Sequence, residues 1–449
     1  MKASVLALVR AVVGLFYRRI EVSGLENAPR EGPLLLIANH NNGLVDPMVV
    51  LKALPRPVVF VAKSTLWKVP VLRSLLDVLG CVPVVRKGEE EPGSPSKGEE
   101  RNRGAFGRLG AELRRNGCVL IFPEGRSHSD PHLSGMRTGA ARVLLLSEEN
   151  PPVVLPVGLW FTKKEEFRSD VLVSLGTPVP PPPDPSVETW TDAMGAALAA
   201  VTLNADSWKH HDLVAAVDTL YGRSVEKTFF KGEERLGQLA TSMRIRQLLL
   251  AARSSLEETH PGEVASFVRR VRALDLLLRR LSLSFSSLDD PPAAGTIAWH
   301  TLKALAVIGL GFPAAVLGAA AWWLPYRLCG IVASRVPGAA KERDQIALYK
   351  LIAGVVLFPL FEAFWGGVIW MFDGLGWAAL AAAFLPFAGI LSLRFFEYAA
   401  WRERQARELL ALLFAPRAIA RLRAKRDALV AECDRLAAGF GGAADNHPG

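Results

Sequence analysis

Between residues 20 and 178 the chain alternates short apolar runs with stretches of helical periodicity. The apolar runs predict strands at residues 20–22, 34–38, 58–62, 81–85, 118–122, 153–161 and 170–175. Helical patterns fill residues 68–79, 104–115 and 139–147. This alternation predicts an α/β domain with a mostly parallel sheet and flanking helices, its ligand held beyond the carboxyl ends of the strands. Residues 87–103 are charged and rich in Gly, Pro and Ser, and predict a mobile surface insert. A proline run closes the domain at about residue 178. A helical region follows over residues 179–300, with one helix beginning at Ser186-Val187-Glu188.

Ahead of this domain, residues 1–19 form a short apolar stretch interrupted by Arg10 and ending in Arg18-Arg19. It falls short of the roughly 20 apolar residues a bilayer span needs and predicts an interfacial membrane helix. No small-x-small cleavage site follows it, so a secretory signal is not expected. Residues 301–393 change solvent. The segments 302–326, 347–372 and 375–393 are each long and apolar enough to span, and each carries an internal proline, Pro313, Pro359 or Pro386. The basic stretches 327–341 and 394 onward both belong on the inner side by the positive-inside rule. A full first span would then strand the basic stretch 269–280 and the α/β domain outside, and a first segment that turns at Gly311-Phe312-Pro313 and re-enters would resolve this. Residues 394–449 predict a basic amphipathic helical tail.

Composition narrows the partners. A formal charge of +9 combined with 50% hydrophobic residues points to an anionic membrane surface rather than nucleic acid. No nucleic-acid-binding signature is present. Cys81, Cys118, Cys329 and Cys433 are scattered without a Cys-x-x-Cys pair, which gives no structural zinc site and no disulfide framework.

The candidate chemistry lies at strand ends. His40 follows the apolar run 34–38, and Asp46 stands six positions later at a helix start. Histidine takes a proton near neutral pH, and a carboxylate on its other ring nitrogen fixes the tautomer. The plainer reading is a strand-end histidine and an Asp-Pro helix cap. A second polar turn, Phe122-Pro123-Glu124-Gly125-Arg126-Ser127-His128, also follows an apolar strand. Its arginine and backbone amides suit a phosphate, and a charged surface turn is the alternative. Arg86, at the end of the strand 81–85, is a further phosphate candidate. Glu124, His128 and His132 are spread over a loop interrupted by Pro131, and a metal site is not expected. A Gly-x-Ser-x-Gly elbow, which a serine hydrolase would want, does not occur.

Four motifs in order across residues 36–160 resemble the glycerolipid acyltransferase family. They are the His40 and Asp46 motif, the block 80–86, the Phe122-Pro123-Glu124-Gly125 block and Leu155-Pro156-Val157. Five residues separate His40 from Asp46 where the family usually has four. Arg126-Ser127 follow Gly125 directly where Thr then Arg is usual. Both departures resemble the fungal-type glycerol-3-phosphate/dihydroxyacetone-phosphate acyltransferases.

The resemblance implies a membrane-bound O-acyltransferase of phospholipid biosynthesis, its catalytic domain on the cytoplasmic face. His40 would deprotonate the acceptor hydroxyl and Asp46 would orient His40. Arg86, Glu124, Gly125, Arg126 and Ser127 would bind substrate. The donor would be acyl-CoA or acyl carrier protein, and the acceptor glycerol-3-phosphate or dihydroxyacetone phosphate. No cofactor or metal would be needed. The alternatives are a 1-acylglycerol-3-phosphate acyltransferase and a non-catalytic lipid-binding protein.

Overall fold

The computed structural model describes residues 2–444 apart from 69, 86–94, 148, 230–236, 260, 282, 284, 289–293 and 337–342. Seven strands form one sheet: β1 (Arg19–Ser23), β2 (Leu34–Ala38), β3 (Val59–Lys63), β4 (Val82–Val84), β5 (Cys118–Ile121), β6 (Val153–Phe161) and β7 (Asp170–Leu175). Their order is β1-β7-β6-β2-β5-β3-β4, and every neighbouring pair is parallel except β6 with β7. The mostly parallel sheet expected from the apolar runs is therefore observed.

Within this unit the helices are α1 (Lys2–Phe16), α2 (Val45–Ala53), α3 (Pro70–Leu79), α4 (Pro95–Arg114), α5 (Gly139–Leu145) and α6 (Val187–Ala200). The central strand β2 is buried along its whole length, because both faces of a parallel sheet are covered. Leu34, Leu36 and Ala38 face the core that contains α1 and α2. Leu35 and Ile37 face the one that contains α4, α5 and α6.

Helix α1 does not stand apart from the domain. Val9, Val13 and Phe16 enter the core, and Arg10 donates to the carbonyls of Leu51 (2.9 Å) and Leu54 (2.9 Å) at the end of α2. The arginine that interrupts the apolar run is thus a C-terminal cap for a neighbouring helix. Leu8 and Leu15 stay exposed on its other face.

Two expectations need correction. The second half of the charged insert is helical, since α4 begins at Pro95, a residue suited to the first helical position. The Asn102 side chain then pairs with both the N–H and the carbonyl of Val85, at 2.8 Å each, fixing this helix to the end of β4. Residues 86–94 of the insert lie outside the described residues. The domain also extends past residue 178. Ser186 caps α6 in a reciprocal capping box with Thr189, and Trp190 and Met194 of that helix pack on the sheet.

The compact α/β unit comprises Met1–Trp208, Glu233–Arg244 and Ala333–Leu351. The second unit comprises Lys209–Gly232, Ile245–Val332 and Ile352–Gly449. Its helices, some of which extend across these boundaries, are α7 (Trp208–Phe229), α8 (Gln238–Thr259), α9 (Pro261–Arg280), α10 (Ala294–Arg335), α11 (Ile346–Asp373), α12 (Leu375–Phe414) and α13 (Pro416–Ala444). Leu213, Val217, Ile245, Phe267, Val271, Ile419 and Leu422 build a shared core for α7, α8, α9 and α13.

Gly311–Arg335, Ile346–Asp373 and Leu375–Glu408 are long and apolar enough to cross a membrane. The re-entrant turn expected at Gly311-Phe312-Pro313 is absent. Helix α10 runs unbroken through Pro313 and Pro325, so the parity argument from loop charge fails at its first step. Gly318 lets α10 approach the Ala388 carbonyl of α12, where an added Cβ would lie 2.3 Å from the oxygen. Ser392 donates to the Ala315 carbonyl (2.8 Å) and Trp322 to that of Leu385 (2.8 Å). Small residues and interhelical hydrogen bonds of this kind join helices where water is absent.

One close approach gives a test of the α/β packing. A Cβ on Gly158 of β6 would lie 2.0 Å from the Val201 carbonyl at the end of α6. G158A is expected to lower the unfolding free energy by roughly 1–3 kcal/mol, read from chemical denaturation of the detergent-solubilised protein.

Candidate active site

The site is built at the carboxyl end of β2, between β5 and β6. The β2–β6 ladder ends at Ala38 opposite Val157, and Asn39 continues it with its side chain. The Asn39 amide donates to the Leu159 carbonyl (3.0 Å) and accepts from the Leu159 N–H (2.7 Å). The chain then leaves the sheet at His40.

Both backbone groups of His40 are held by the loop after β5. Its N–H donates to Glu124 Oε1 (2.7 Å), and its carbonyl accepts from the His128 N–H (3.1 Å). The ring stacks on Phe122, with centroids 4.1 Å apart and planes at 20°. His40 Nδ1 lies 2.8 Å from Asp46 Oδ2. This contact leaves Nε2 without a hydrogen-bond partner among the described residues, on a side chain that is 11% exposed.

Asp46 is fully buried in the first turn of α2. It does not cap that helix. Leu44 occupies the cap position, while Asp46 Oδ2 accepts a second bond from the Asn42 N–H at 2.8 Å. The reversal between His40 and Asp46 uses Gly43 at a φ of 51°, a left-handed value that favours glycine. Asn42 is buried as well, and its amide donates to the Tyr17 hydroxyl (2.9 Å). Lys164, in the β6–β7 turn, donates to the Asn41 carbonyl (2.7 Å) and the Ser129 hydroxyl (2.6 Å).

Chemically, this is an imidazole with one nitrogen on a buried carboxylate and the other unpartnered. Burial pushes the Asp46 carboxyl above its ordinary range, against the opposing pull of His40 and the Asn42 amide. The Asp46 contact at Nδ1 fixes the orientation of the ring beside it.

Residues 19–160 match the family model described as Acyltransferase. The chain carries an acyltransferase-family domain. It is 20% identical over 293 residues to glycerol-3-phosphate O-acyltransferase 1 of Saccharomyces cerevisiae, covering 59% of this chain and 37% of that one. It is 26% identical over 150 residues to the chloroplastic 1-acyl-sn-glycerol-3-phosphate acyltransferase LPAT1 of Arabidopsis thaliana, covering 33% of this chain and 38% of that one. The crystal structure of the 1-acyl-sn-glycerophosphate acyltransferase PlsC from Thermotoga maritima matches at a TM-score of 0.34 and 19% identity. That match covers 44% of this chain and 80% of the other. The chain thus spans less than half the length of either curated relative.

In the acyltransferase domain the other expected residues take different places. Phe122 to Gly125 form a turn closed by the Gly125 N–H on the Phe122 carbonyl (3.0 Å), with Gly125 at a φ of 71°. Gly125 and Arg126 are exposed and Ser127 is half-buried. Glu124 is 2% exposed, and its carboxylate is taken up by protein groups. Beyond His40, it accepts from the Ser134 N–H (2.7 Å) and hydroxyl (3.0 Å), and from His128 Nε2. Arg86 lies outside the described residues. Among the described residues no three His, Cys, Asp or Glu side chains group so as to hold a metal ion.

Several groups here carried no local signal in the sequence. Lys164 and Tyr17 reach the His40 to Asp46 loop from far along the chain. Arg137, exposed at the mouth, lays its side chain over Gly125, its Cγ 3.1 Å from where a Cβ would stand. Asp344, from a 3-10 turn at Arg343–Gln345 between α10 and α11, accepts a hydrogen bond from the Ser127 hydroxyl. The buried Asn42 was more accessible to reasoning, because it sits inside the His40 to Asp46 motif itself.

The Glu124–His128 pair sets a pH dependence. Burial drives the Glu124 carboxyl upward, but its hydrogen bonds from His128, Ser134 and His40 outweigh this and hold it below its ordinary 4.5. The hydrogen bond to Glu124 raises His128 above 6.5, against its own burial. A raised histidine stabilises the fold fully below its unfolded value, and this is lost as pH rises through the folded value. A lowered carboxylate stabilises above its unfolded value, and this is lost as pH falls through the folded one. The pair is therefore strongest between 4.5 and 6.5. The unfolding midpoint is expected to fall from about pH 6 to about pH 9, and H128Q is expected to flatten that decline in thermal unfolding curves.

Proposed function

We propose that this protein is a membrane-bound O-acyltransferase that moves a fatty acyl group from a thioester donor to a hydroxyl of glycerol-3-phosphate. The observation that carries this reading is the His40–Asp46 pair, with Nε2 unpartnered, at the strand end of an acyltransferase-family domain. Nε2 takes the proton of the acceptor hydroxyl as its oxygen attacks the thioester carbonyl. Asp46 holds the neutral tautomer and then balances the imidazolium. Collapse of the tetrahedral species forms the ester, breaks the C–S bond and returns the proton to the leaving thiolate. The Gly125 N–H closes its own turn, which leaves the developing oxyanion to the cations beside it.

The acceptor phosphate falls to cations. Arg126 and Arg137 flank the Gly125 turn, both exposed, and Arg86 follows the anchored Val85. Glu124 serves to position His40 through the backbone. The donor is an acyl thioester of CoA or of acyl carrier protein.

The similarity to the yeast enzyme extends over more of this chain than the acyltransferase match does, which favours glycerol-3-phosphate as acceptor. The 1-acyl form is the second reading, supported by the likeness to LPAT1. The segment Ala333–Leu351, joining two apolar helices, belongs to the α/β unit. The outward Leu8 and Leu15 of α1 suit contact with a bilayer.

H40A is expected to lower kcat by about 10²- to 10⁴-fold with unchanged folding and membrane association. Activity within about threefold of wild type would rule the base assignment out. R126A and R137A are each expected to raise the acceptor KM about 10-fold or more while the donor KM holds. Equal effects on both substrates would remove the arginines from the phosphate site.

A further inference from the structure

Ser127 is a substrate-binding candidate, and the direction of its hydrogen bond to Asp344 says what it can offer. A serine hydroxyl has a single proton and two acceptor lone pairs. Here the proton goes to Asp344 Oδ2. What remains on the hydroxyl is a pair of acceptor lone pairs backed by a carboxylate. A phosphate oxygen, itself an acceptor, is repelled by such a group, whereas a substrate hydroxyl can donate to it.

The pair is well placed to touch the acceptor. Ser127 directly precedes His128, whose N–H binds the His40 carbonyl at 3.1 Å. On its other side, the Asp344 carbonyl oxygen lies 3.1 Å from where a Cβ on Gly43 would stand, inside the His40 to Asp46 loop. Asp344 itself is buried. Its segment is firmly seated: Ala347, Leu348 and Leu351 enter the main core, and Lys350 donates to the Glu165 carbonyl at 2.6 Å.

We propose that Ser127, oriented by Asp344, accepts a hydrogen bond from a second free hydroxyl on the acceptor and so selects for it. The inference rests on the glycerol phosphate reading above. Glycerol-3-phosphate has two hydroxyls, one to be acylated and one left to donate to Ser127. Dihydroxyacetone phosphate has a carbonyl at the middle carbon and can donate nothing there. The 1-acyl form has an ester oxygen in place of one hydroxyl. Asp344 acts through Ser127 and is a positioning residue.

The test is kcat/KM of the full chain in detergent or native membranes with all three acceptors. Wild type is expected to prefer glycerol-3-phosphate over dihydroxyacetone phosphate by about 10- to 100-fold. In S127A and D344A that ratio is expected to fall to about one. D344N keeps an oxygen that accepts the serine proton, and is expected to retain the ratio within about threefold. S127A removes a single oxygen and carries the test should D344A fail to fold. A ratio near one in wild type, or a ratio unchanged in S127A, overturns the assignment of Ser127 and Asp344 alone. Transfer to none of the three acceptors overturns the glycerol phosphate reading and this one with it.

Discussion

Everything at the site depends on how the backbone of His40 is held. A residue leaving a parallel sheet loses its ladder partners, and buried backbone groups left unpaired are costly. Here the neighbouring strand's loop supplies both partners, the Glu124 carboxylate for the N–H and the His128 amide for the carbonyl. Because Glu124 and His128 also bind each other, the loops after β2 and β5 form one hydrogen-bonded body. Asn39 ties that body to β6. The imidazole itself is held by Phe122, stacked on its plane, and by Asp46 at Nδ1. An imidazole fixed in this way has little orientational freedom left to lose.

The same economy explains why so much of the buried polar inventory of the α/β unit clusters here. Asn39, Asn42, Asp46, Glu124 and His128 are all buried, yet each is hydrogen-bonded. Asn42 Oδ1 and Asp46 Oδ1 are buried without a partner among the described residues, and any further lost partner would leave another desolvated group behind. The network also draws in distant parts of the chain. Tyr17 follows α1, Lys164 lies between β6 and β7, and Asp344 lies between two apolar helices. Through the segment Ala333–Leu351, the chain that forms the apolar helices α10 and α11 also completes the α/β unit.

The sheet was legible because its signal is local. Strands β2, β5 and β6 are short apolar runs, continuous because they are buried on both faces, whereas β1, Arg-Ile-Glu-Val-Ser, is only half-buried. The contact between His40 and Asp46 was legible for a similar reason, six residues apart around a glycine turn. What escaped was carried by tertiary contact. Glu124 reads as a charged loop residue, and only the packed fold shows its oxygens spent on His40, Ser134 and His128. Nothing around Asp344 distinguishes it from any acidic loop residue. The polar insert reads as unstructured by composition, yet its second half is helical and Asn102 anchors it to β4. At Pro313 the proline suggested a break, but α10 continues through it.

The central claim is that His40 and Asp46 act as one unit, the carboxylate working only through the ring. The most direct measurement is kcat for H40A, D46N and the double variant H40A/D46N, each shown to be folded. If the two act as a unit, removing the carboxylate costs nothing once the imidazole is gone, and the double variant turns over at the rate of H40A. If instead the two losses multiply, Asp46 contributes by a route that does not pass through His40, and the account is wrong.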